Sequence, residues 1–387
     1  MELSKYARSA KFSAIRKMFN ESQKVADKVS FAFGEPDFDT PQPIVDRACR
    51  EWQNHKTHYT ANKGIPELRR AVAKYHEGFS MPHDPDVNIC ITNGGSDGIR
   101  VALATILDPG DEVITTTPCW SNYFSQVAMY GAKVVEVPTY EENEFRPAAA
   151  DIEKAITPKT KCIIINYPCN PTGAIMSEDC ARELARIIDN NDIYLLADEV
   201  YSNFIYDGYK HVSVLDYVQD KSKCIYLNSF SKMFAMTGWR LAYVIASDKI
   251  IAAMNNVIEC GPSCFPEPTQ LAGVTALEEC TGAIQDMKES YDRRRKLIID
   301  LLKDVPLISC QVPKGAFYVF VNIKKLGVDD MDFCMDLLYK AGVVMVPGSG
   351  FGEAGKGYIR ISYATSDENI KEGIRRLKKY IEENYVK

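Results

Sequence analysis

Polar side chains that could take part in catalysis follow three apolar runs of the sequence, at the point where each run ends. Lys232 follows one run, Asp198 and Tyr201 follow a second, and Asn170 follows a third. The runs, which we interpret as β-strands, are Lys161–Asn166, Ile193–Ala197 and Cys224–Asn228. Taken singly, the lysine fits a surface position, the aspartate a helix cap and Asn170-Pro171 a simple turn.

Their joint occurrence after three successive strands favours one shared site instead. In sheets built from alternating strands and helices, ligands bind in the crevice at the ends of the strands. The sequence therefore brings an amide, a carboxylate, a phenol and an amine to one edge of a sheet. A lysine that is partly buried or close to other cations has a lowered pKa and can form a Schiff base with a carbonyl compound.

A glycine-rich turn gives a weaker, second signal. Gly94-Gly95-Ser96-Asp97 follows the apolar run Ile89–Thr92 and begins a helical pattern. Backbone N–H groups at the start of a helix bind anions. Gly95, Ser96 and Asp97 are therefore predicted to form a cradle for a phosphate group, with the Ser96 hydroxyl as a further donor.

The elements that must position these residues alternate between short apolar strands and amphipathic helices from residue 88 to residue 245. Further strands are predicted at Ile89–Thr92, Glu112–Thr116 and Lys133–Val137. This alternation favours an α/β fold with a mostly parallel central sheet in a large three-layer domain. Earlier helices are predicted from Thr40-Pro41 to about Trp52, and from about Ile65 to Phe79.

Beyond residue 285 the pattern changes to that of a small α+β domain. The predicted elements are a helix at Met287–Leu302, a strand at Ala316–Val321, a helix at 330–341, strands at Val343–Val346 and Tyr358–Tyr363, and a closing helix. In the closing helix one face carries Ile370, Ile374, Leu377 and Ile381, which is the spacing of an amphipathic helix.

Composition excludes several classes of protein. The 387 residues are 46% apolar and 25% charged, which is typical of a globular chain and not of a disordered, collagenous or membrane protein. The net charge of −6 and the lack of a dense basic run argue against a nucleic-acid partner. Arg293-Arg294-Arg295 is interpreted as a solvated helix face.

The cysteines and the N-terminus indicate a cytoplasmic location. The twelve cysteines are scattered through apolar runs, so we interpret them as reduced core residues. The first eight residues lack the apolar core of a signal peptide. Neither the cysteines nor the histidines have the spacing of metal ligands, and no metal site is predicted.

Three motifs, in this order, identify a family: Asn170-Pro171-Thr172-Gly173, Asp198-Glu199-Val200-Tyr201, and Ser-x-Ser-Lys-x5-Gly-x-Arg from Ser229 to Arg240. The chain resembles a class I pyridoxal-phosphate aminotransferase of fold type I, and the resemblance extends from Gly34 to the closing helix. It implies a large cofactor-binding domain at 45–285 and a small domain formed by 1–44 and 286–387.

The resemblance also implies a role for each site residue. Lys232 would carry pyridoxal 5'-phosphate as a Schiff base, and Asp198 would keep its pyridine nitrogen protonated. Tyr201 and Asn170 would donate to its phenolic oxygen. Trp120 would stack on the cofactor ring, with a core tryptophan as the alternative. Tyr59 would reach the phosphate of a neighbouring subunit, with a buried strand-end tyrosine as the alternative. The remaining residues would surround the phosphate and are Gly95, Ser96, Asp97, Ser229, Ser231 and Arg240.

Arg360 is the candidate residue for binding the substrate. An apolar strand tolerates an arginine poorly unless the guanidinium has a partner such as a carboxylate. The resemblance implies that Arg360 binds the substrate α-carboxylate, assisted by Asn170 and the backbone of Gly34, and that a loop at 346–352 closes over the site. If Tyr59 reaches the neighbouring subunit, the protein is a homodimer with shared active sites.

The expected reaction is ping-pong transfer of an amino group from an L-amino acid to a 2-oxo acid, with 2-oxoglutarate as the expected acceptor. Ser96 stands where a bacterial branch of aspartate aminotransferases has a lysine for the substrate's side-chain carboxylate. Alanine, methionine, aromatic or broad specificity therefore stays open. The alternatives are a C–S β-lyase on the same fold, and a regulatory relative that would lack a core residue or carry a DNA-binding domain.

Overall fold

The computed structural model describes residues 1, 2, 4, 6 and 14–386. Its strands are β1 (Val29–Ser30), β2 (Ile89–Thr92), β3 (Glu112–Thr117), β4 (Lys133–Pro138), β5 (Thr160–Asn166), β6 (Tyr194–Asp198), β7 (Cys224–Ser229), β8 (Ala242–Ala246), β9 (Ser309–Cys310), β10 (Tyr318–Asn322), β11 (Val343–Val344), β12 (Val346–Pro347) and β13 (Tyr358–Ser362).

The helices connect and cover these strands. They are α1 (Ala14–Ser22), α2 (Gln42–Gln53), α3 (Pro66–Tyr75), α4 (Gly95–Ile106), α5 (Asn122–Ala128), α6 (Ala149–Ala155), α7 (Glu178–Asp189), α8 (Phe230–Met233), α9 (Asp248–Glu259), α10 (Glu267–Glu279), α11 (Gly282–Lys303), α12 (Asp330–Ala341) and α13 (Asp367–Tyr385). Short 3₁₀ helices lie at Glu141–Asn143, Val214–Asp216, Lys221–Lys223, Lys324–Leu326, Gly348–Phe351 and Glu353–Gly355.

Seven strands form the central sheet, in the order β2-β8-β7-β6-β5-β3-β4. The five strands from β7 to β4 run parallel to one another, and β8 lies antiparallel between β2 and β7. Every residue of β2, β7 and β8 is buried, as expected for strands covered on both faces. The predicted α/β fold with a mostly parallel sheet is confirmed.

The elements between residues 242 and 279 are absent from the sequence prediction. Helix α10 shows why, because the four consecutive residues from Gln270 to Gly273 are all buried. A helix that is buried on every side lacks the one-sided periodicity by which amphipathic helices are recognised.

The second half of the chain builds a four-stranded antiparallel sheet, in the order β12-β13-β10-β9. The predicted strand Val343–Val346 is two strands in the structure. β11 pairs in parallel with β1, whereas β12 pairs with β13. Val343, Val344 and Val346 are all fully buried, so their apolar character does not reveal that the chain changes partner between them.

The pairing of β1 with β11 joins the N-terminal segment to the C-terminal part of the chain. Helix α1 also packs against α12 and β12. We therefore propose that 1–44 and 286–387 form the small domain and 45–285 the large one. Residues 3, 5, 7–13 and 387 of that assignment lie outside the described residues.

The interpretation of Arg293-Arg294-Arg295 as a solvated face is wrong for two of the three arginines. Arg295 is 2% exposed and its guanidinium pairs with Asp207 at 2.6 Å. Arg294 is 8% exposed and pairs with Asp37 at 2.7 Å. These carboxylates are distant in sequence and reach the helix only through folding, so the helical pattern alone could not indicate them. A buried guanidinium is retained because it is paired.

The state of the cysteines, the apolar length of the helices and the grouping of metal-ligating side chains can be stated for the described residues. All twelve cysteines lie among them and are free thiols. No helix of the described part is both long and apolar enough to cross a lipid bilayer. Over the same residues, no group of three or more His, Cys, Asp and Glu side chains is arranged to hold a metal ion.

Candidate active site

A cavity of about 280 Å³ lies at the carboxyl ends of β5, β6 and β7. Sheet order explains its position, because these strands are neighbours and their ends meet at one edge. The sequence-predicted residues that line it are Gly34, Gly95, Ser96, Trp120, Asn170, Asp198, Tyr201, Ser229, Ser231, Lys232, Arg240 and Arg360. The structure therefore brings twelve of the fourteen candidate residues together.

Lys232 lies in the one-turn helix α8, whose first residue follows β7 directly. Its Nζ donates to the carbonyl oxygen of Gly34 at 2.5 Å. Among the described residues no carboxylate forms an ion pair with it. Burial lowers the pKa of Lys232 to about 8. The charge of Glu35 opposes this lowering, whereas the nearby charges of Arg360 and Arg240 add to it. The side chain therefore supplies a neutral amine far more readily than a surface lysine does.

Asp198 is the last residue of β6 and is buried. Tyr123 donates its hydroxyl proton to Asp198 Oδ2 at 2.6 Å. Asp198 Oδ1 is buried and has no hydrogen-bond partner within the described chain. Burial raises the pKa of this carboxyl to about 6, and the Tyr123 hydrogen bond opposes the rise. An unsatisfied buried carboxylate oxygen requires a donor, and a protonated ring nitrogen fits that requirement.

The opposite end of the cavity combines a cation with a helix N-terminus. Gly94 precedes α4 with a φ of +82°, and a Cβ there would lie 2.3 Å from Arg240 Nη2. Glycine therefore lets the guanidinium pack on the first turn of α4. The amides of a first turn lack intrahelical acceptors, and a helix N-terminus carries partial positive charge. In the described residues Arg240 has no carboxylate partner, so this end of the cavity suits an anion such as a phosphate.

Two serines border the same end. Ser229 caps α8, and its hydroxyl accepts from the amide of Ser231 at 3.2 Å and donates to the Leu241 carbonyl at 3.2 Å. Trp120 also lines the cavity and contacts the ring of Tyr123 edge-on at 5.4 Å. Its side chain is partly buried and packs against the hydrophobic core as well as bordering the cavity.

Arg360 forms the wall that faces Lys232 and is 1% exposed. Its Nη1 donates to Asn170 Oδ1 at 2.9 Å and its Nη2 to the Ala32 carbonyl at 2.5 Å. Its Nε is buried and unsatisfied within the part of the chain described. Burial lowers the pKa of this guanidinium. A buried cation whose partners are all neutral oxygens is incomplete, and a carboxylate ligand would complete it.

Several residues in or beside the cavity were not predicted from the sequence, and three of them make contacts within the site. Asn166, at the end of β5, accepts from the Asn170 amide and donates to the Asp198 carbonyl at 2.8 Å, so it connects two strand ends. Tyr123, in α5, does not line the cavity but contacts both Asp198 and the ring of Trp120. Tyr318, whose hydroxyl lies 2.7 Å from that of Tyr201, carries no local signal.

Two predicted residues lie outside the cavity lining. The Asp97 carboxylate accepts from Arg100 at 2.7 Å, and its amide donates to the Gly94 carbonyl at 3.0 Å. Tyr59 is 93% exposed and belongs to no strand, so the alternative of a buried strand-end tyrosine is wrong. Its phenol is free to meet a second molecule.

Comparisons with known proteins define the class to which this fold and this cavity belong. Residues 26–377 match the family model described as aminotransferase class I and II. The chain belongs to this family, as the motifs predict, and is a pyridoxal-phosphate-dependent aminotransferase of fold type I.

Its relatives differ in the amino acid for which they are named. It is 42% identical to the aspartate aminotransferase of Pyrococcus horikoshii over 374 residues, which cover 96% of this chain and 95% of the relative. It is also 42% identical to aromatic-amino-acid aminotransferase 2 of Thermococcus litoralis, over 96% of both chains. The aspartate aminotransferase of Thermus thermophilus, solved with maleate, superposes with a TM-score of 0.93 at 35% identity, over 98% of this chain and 99% of that one.

Proposed function

We propose that this enzyme transfers the amino group of an L-amino acid to a 2-oxo acid, with 2-oxoglutarate as acceptor, in a ping-pong reaction that uses a Schiff base on Lys232. One observation carries the proposal. A partly buried lysine with a pKa of about 8 shares a cavity with a buried aspartate whose Oδ1 has no partner in the described chain. Pyridoxal phosphate needs an amine that binds its aldehyde and an acceptor for the N–H of its pyridine ring.

The cavity residues would hold this cofactor as follows. Asp198 Oδ1 would accept from the pyridine nitrogen, and Tyr201 would donate to the phenolic oxygen. Asn170 would donate there too, through its Nδ2, because Arg360 occupies its Oδ1. Trp120 would stack on the ring. Arg240, Ser229, Ser231, Gly95 and Ser96 would hold the phosphate, and Asp97 would contribute through its position in the first turn of α4.

The chemistry then divides between the cofactor and the chain. Bound pyridoxal phosphate supplies an electron sink for the substrate α-carbon. Arg360 binds the substrate α-carboxylate bidentately, next to Gly34 and Asn170. Lys232, once the substrate amine has displaced it, takes the proton from the α-carbon and acts as general base and then as general acid. Its lowered pKa suits both roles.

A half-reaction screen tests this function. The enzyme, loaded with pyridoxal phosphate and supplied with no oxo acid, is mixed with single amino acids while the visible spectrum is recorded. One oxo acid released per site, with conversion to the pyridoxamine form, supports amino transfer and names the donor. Continued production of ammonia and pyruvate from cysteine or cystathionine would instead identify a C–S β-lyase, the alternative with the same Lys232, Asp198 and Arg360.

We also propose a homodimer in which Tyr59 reaches the phosphate of the neighbouring subunit. Its nearly complete exposure in the single chain supports this role. The test mixes Lys232→Ala with Tyr59→Ala chains after dissociation and reassociation. In a mixed dimer one site regains both native residues, so the mixture should recover about a quarter of the wild-type activity. Activity that never exceeds that of the separate variants would contradict a shared site.

A cytoplasmic location is part of the same proposal. It is supported by the twelve free thiols, since proteins of oxidising compartments form disulfides. The substrates are small molecules, and neither nucleic acid nor membrane is proposed as a partner.

A further inference from the structure

Tyr318 is a cavity residue for which the roles above give no explanation. Its side chain is fully buried in the protein and lines the cavity. Its hydroxyl oxygen lies 2.7 Å from that of Tyr201. The guanidinium carbon of Arg360 lies 4.6 Å from the centre of its ring. One side chain therefore contacts a residue proposed to hold the cofactor and the residue proposed to bind the substrate carboxylate.

The register of β10 and β13 creates this arrangement. Phe320 pairs with Arg360, and Tyr318 pairs with Ser362. Side chains alternate between the two faces of a strand, so Tyr318, Phe320 and Arg360 project from the same face. Tyr318 and Arg360 are diagonal neighbours across the strand pair, a separation that an aromatic ring and a long side chain bridge. The ring of Phe351 lies 5.0 Å from the same guanidinium carbon, so Arg360 contacts two rings.

The approach of Tyr318 to the cavity depends on a glycine. A Cβ at position 34 would lie 2.1 Å from Tyr318 Oη. Gly34 therefore leaves room for the hydroxyl to reach Tyr201, and its carbonyl accepts from Lys232. The Tyr318 hydroxyl and the Lys232 amine therefore both lie next to the backbone of Gly34.

Each hydroxyl has one proton, so only one of the two can donate across the 2.7 Å contact. Tyr201 is proposed to give its proton to the phenolic oxygen of the cofactor, which leaves Tyr318 as the donor to Tyr201. Burial raises the pKa of both hydroxyls, and the Arg360 cation opposes the rise in each. A hydroxyl that accepts one hydrogen bond donates the next one more strongly.

We propose that Tyr318 is a positioning residue that donates its hydroxyl proton to Tyr201 and packs its ring on Arg360. The Tyr201 proton is then directed to the phenolic oxygen of pyridoxal phosphate, while the guanidinium is held for the substrate carboxylate. The inference rests on the proposed function, since it assigns a role to Tyr318 toward that cofactor and that substrate.

Two variants separate the two contacts. Tyr318→Phe removes the hydroxyl and keeps the ring, whereas Tyr318→Leu removes both. Tyr363→Phe is the matched control, because Tyr363 is also fully buried, directly after β13, and its hydroxyl contacts the Ala316 carbonyl at 3.2 Å and no described residue of the cavity. All three holoenzymes are titrated from about pH 5 to about pH 10 while the visible absorbance of the Lys232-bound cofactor is recorded, and kcat and KM are measured for the donor found in the half-reaction screen.

We expect Tyr318→Phe to raise the midpoint of the absorbance change by about half a pH unit, which is about threefold in the proton equilibrium, with KM within about twofold of wild type. A weaker Tyr201 donor leaves more negative charge on the phenolic oxygen, which retains the neighbouring proton. Tyr318→Leu should show the same shift and in addition raise KM about tenfold, because Arg360 loses one face of its packing. Tyr363→Phe should leave midpoint and KM unchanged.

Equal midpoints for Tyr318→Phe and Tyr363→Phe would overturn the inference, even if Tyr318→Leu failed to fold. An unchanged KM in a folded Tyr318→Leu would overturn the part that concerns Arg360. A wild-type enzyme that shows no Lys232-dependent absorbance would overturn the proposed function, whereas a wild-type band with no response to Tyr318→Phe would overturn the inference alone.

Discussion

The two walls of the cavity are built from very different stretches of sequence. The cofactor wall comprises Asn170, Asp198, Lys232 and Arg240 with the turn at Gly95. It lies at one edge of the central sheet, and its first three residues stand at the ends of the neighbouring strands β5, β6 and β7. The substrate wall, which comprises Gly34, Tyr318 and Arg360, combines the N-terminal segment with β10 and β13 of the second sheet. Each strand end of the cofactor wall is positioned by its own sheet, whereas the substrate wall exists only when distant segments meet.

Two hydrogen bonds join the walls across long sequence separations. Lys232 donates to the Gly34 carbonyl, 198 residues away, and Arg360 donates to Asn170, 190 residues away. Both joining contacts pair a cation with a neutral oxygen. The proposed chemistry is therefore anchored at the edge of the central sheet, whereas recognition of the substrate depends on contacts between the N-terminal segment, the second sheet and that edge. Changes in the two walls should therefore affect kcat and KM differently.

The largest expected effect comes from the cofactor wall. Lys232→Ala removes both the cofactor attachment and the general base, so turnover should fall about 10⁴-fold or more. Single-turnover measurements on the purified variant check this, together with loss of the visible absorbance that depends on the lysine. Lys371→Ala, on the surface of α13, serves as control. Turnover within about tenfold of wild type would remove Lys232 from the mechanism.

The substrate wall should respond through KM. Arg360→Leu leaves the substrate carboxylate without its buried cation, and KM should rise about 100-fold, while kcat at saturation changes only a few-fold. Arg360→Lys keeps the charge but loses the planar fork, so an intermediate rise of about tenfold is expected. Steady-state kinetics with one donor amino acid checks both variants. If variants of the cofactor wall and of the substrate wall lost kcat equally, the proposed division of roles between the two walls would be contradicted.

The cofactor wall could largely be predicted from the sequence. Asn170, Asp198 and Lys232 stand just after apolar strands, and the strand alternation already places those ends together. The Gly94 turn could be recognised for the same reason, because it lies between a strand and a helix. Local patterns carry this information, since each residue is positioned by the element directly before it.

The substrate wall could be predicted only in part. Arg360 was found because a cation in an apolar strand demands a partner, but nothing local to Tyr318 indicates that its hydroxyl reaches Tyr201. The buried Arg294 and Arg295 were misread for the same reason, since their partners Asp37 and Asp207 arrive from other segments. A side chain whose role depends on a long-range contact leaves no periodic signal in its own segment.

A smaller effect is expected when Tyr123 is substituted, because it contacts Asp198 of the cofactor wall but does not line the cavity. Tyr123→Phe removes the 2.6 Å hydrogen bond to Asp198, which opposes the rise in the pKa of that carboxyl. The pKa should therefore increase above about 6, and a larger share of Asp198 is protonated at neutral pH. A hydrogen bond worth about 1.4 kcal/mol corresponds to a rise of about one pH unit, which lowers cofactor affinity about twofold at pH 7 and about tenfold near pH 5.

Binding of pyridoxal phosphate to the apoprotein, followed by fluorescence as the pH is lowered from about 8 to about 5, measures this effect. Affinity should fall as Asp198 takes up its proton, and the fall should begin at higher pH in the variant. Tyr167→Phe is the control, because Tyr167 is equally buried and donates to the Phe145 carbonyl at 3.0 Å. Superimposable pH curves for wild type and Tyr123→Phe would show that the hydrogen bond does not tune Asp198.

The smallest expected effect tests whether the two walls are independent. Lys232 captures the cofactor aldehyde only as the neutral amine, and its pKa is about 8. The capture rate should therefore rise about threefold between pH 7.5 and pH 8.5, as stopped-flow absorbance on the apoprotein would show. The Arg360 charge contributes to the lowering of that pKa, so Arg360→Leu should move the midpoint upward. If the midpoint of the capture rate against pH did not change in Arg360→Leu, Arg360 would act on the substrate alone. The two walls would then be coupled by direct contacts and not by charge.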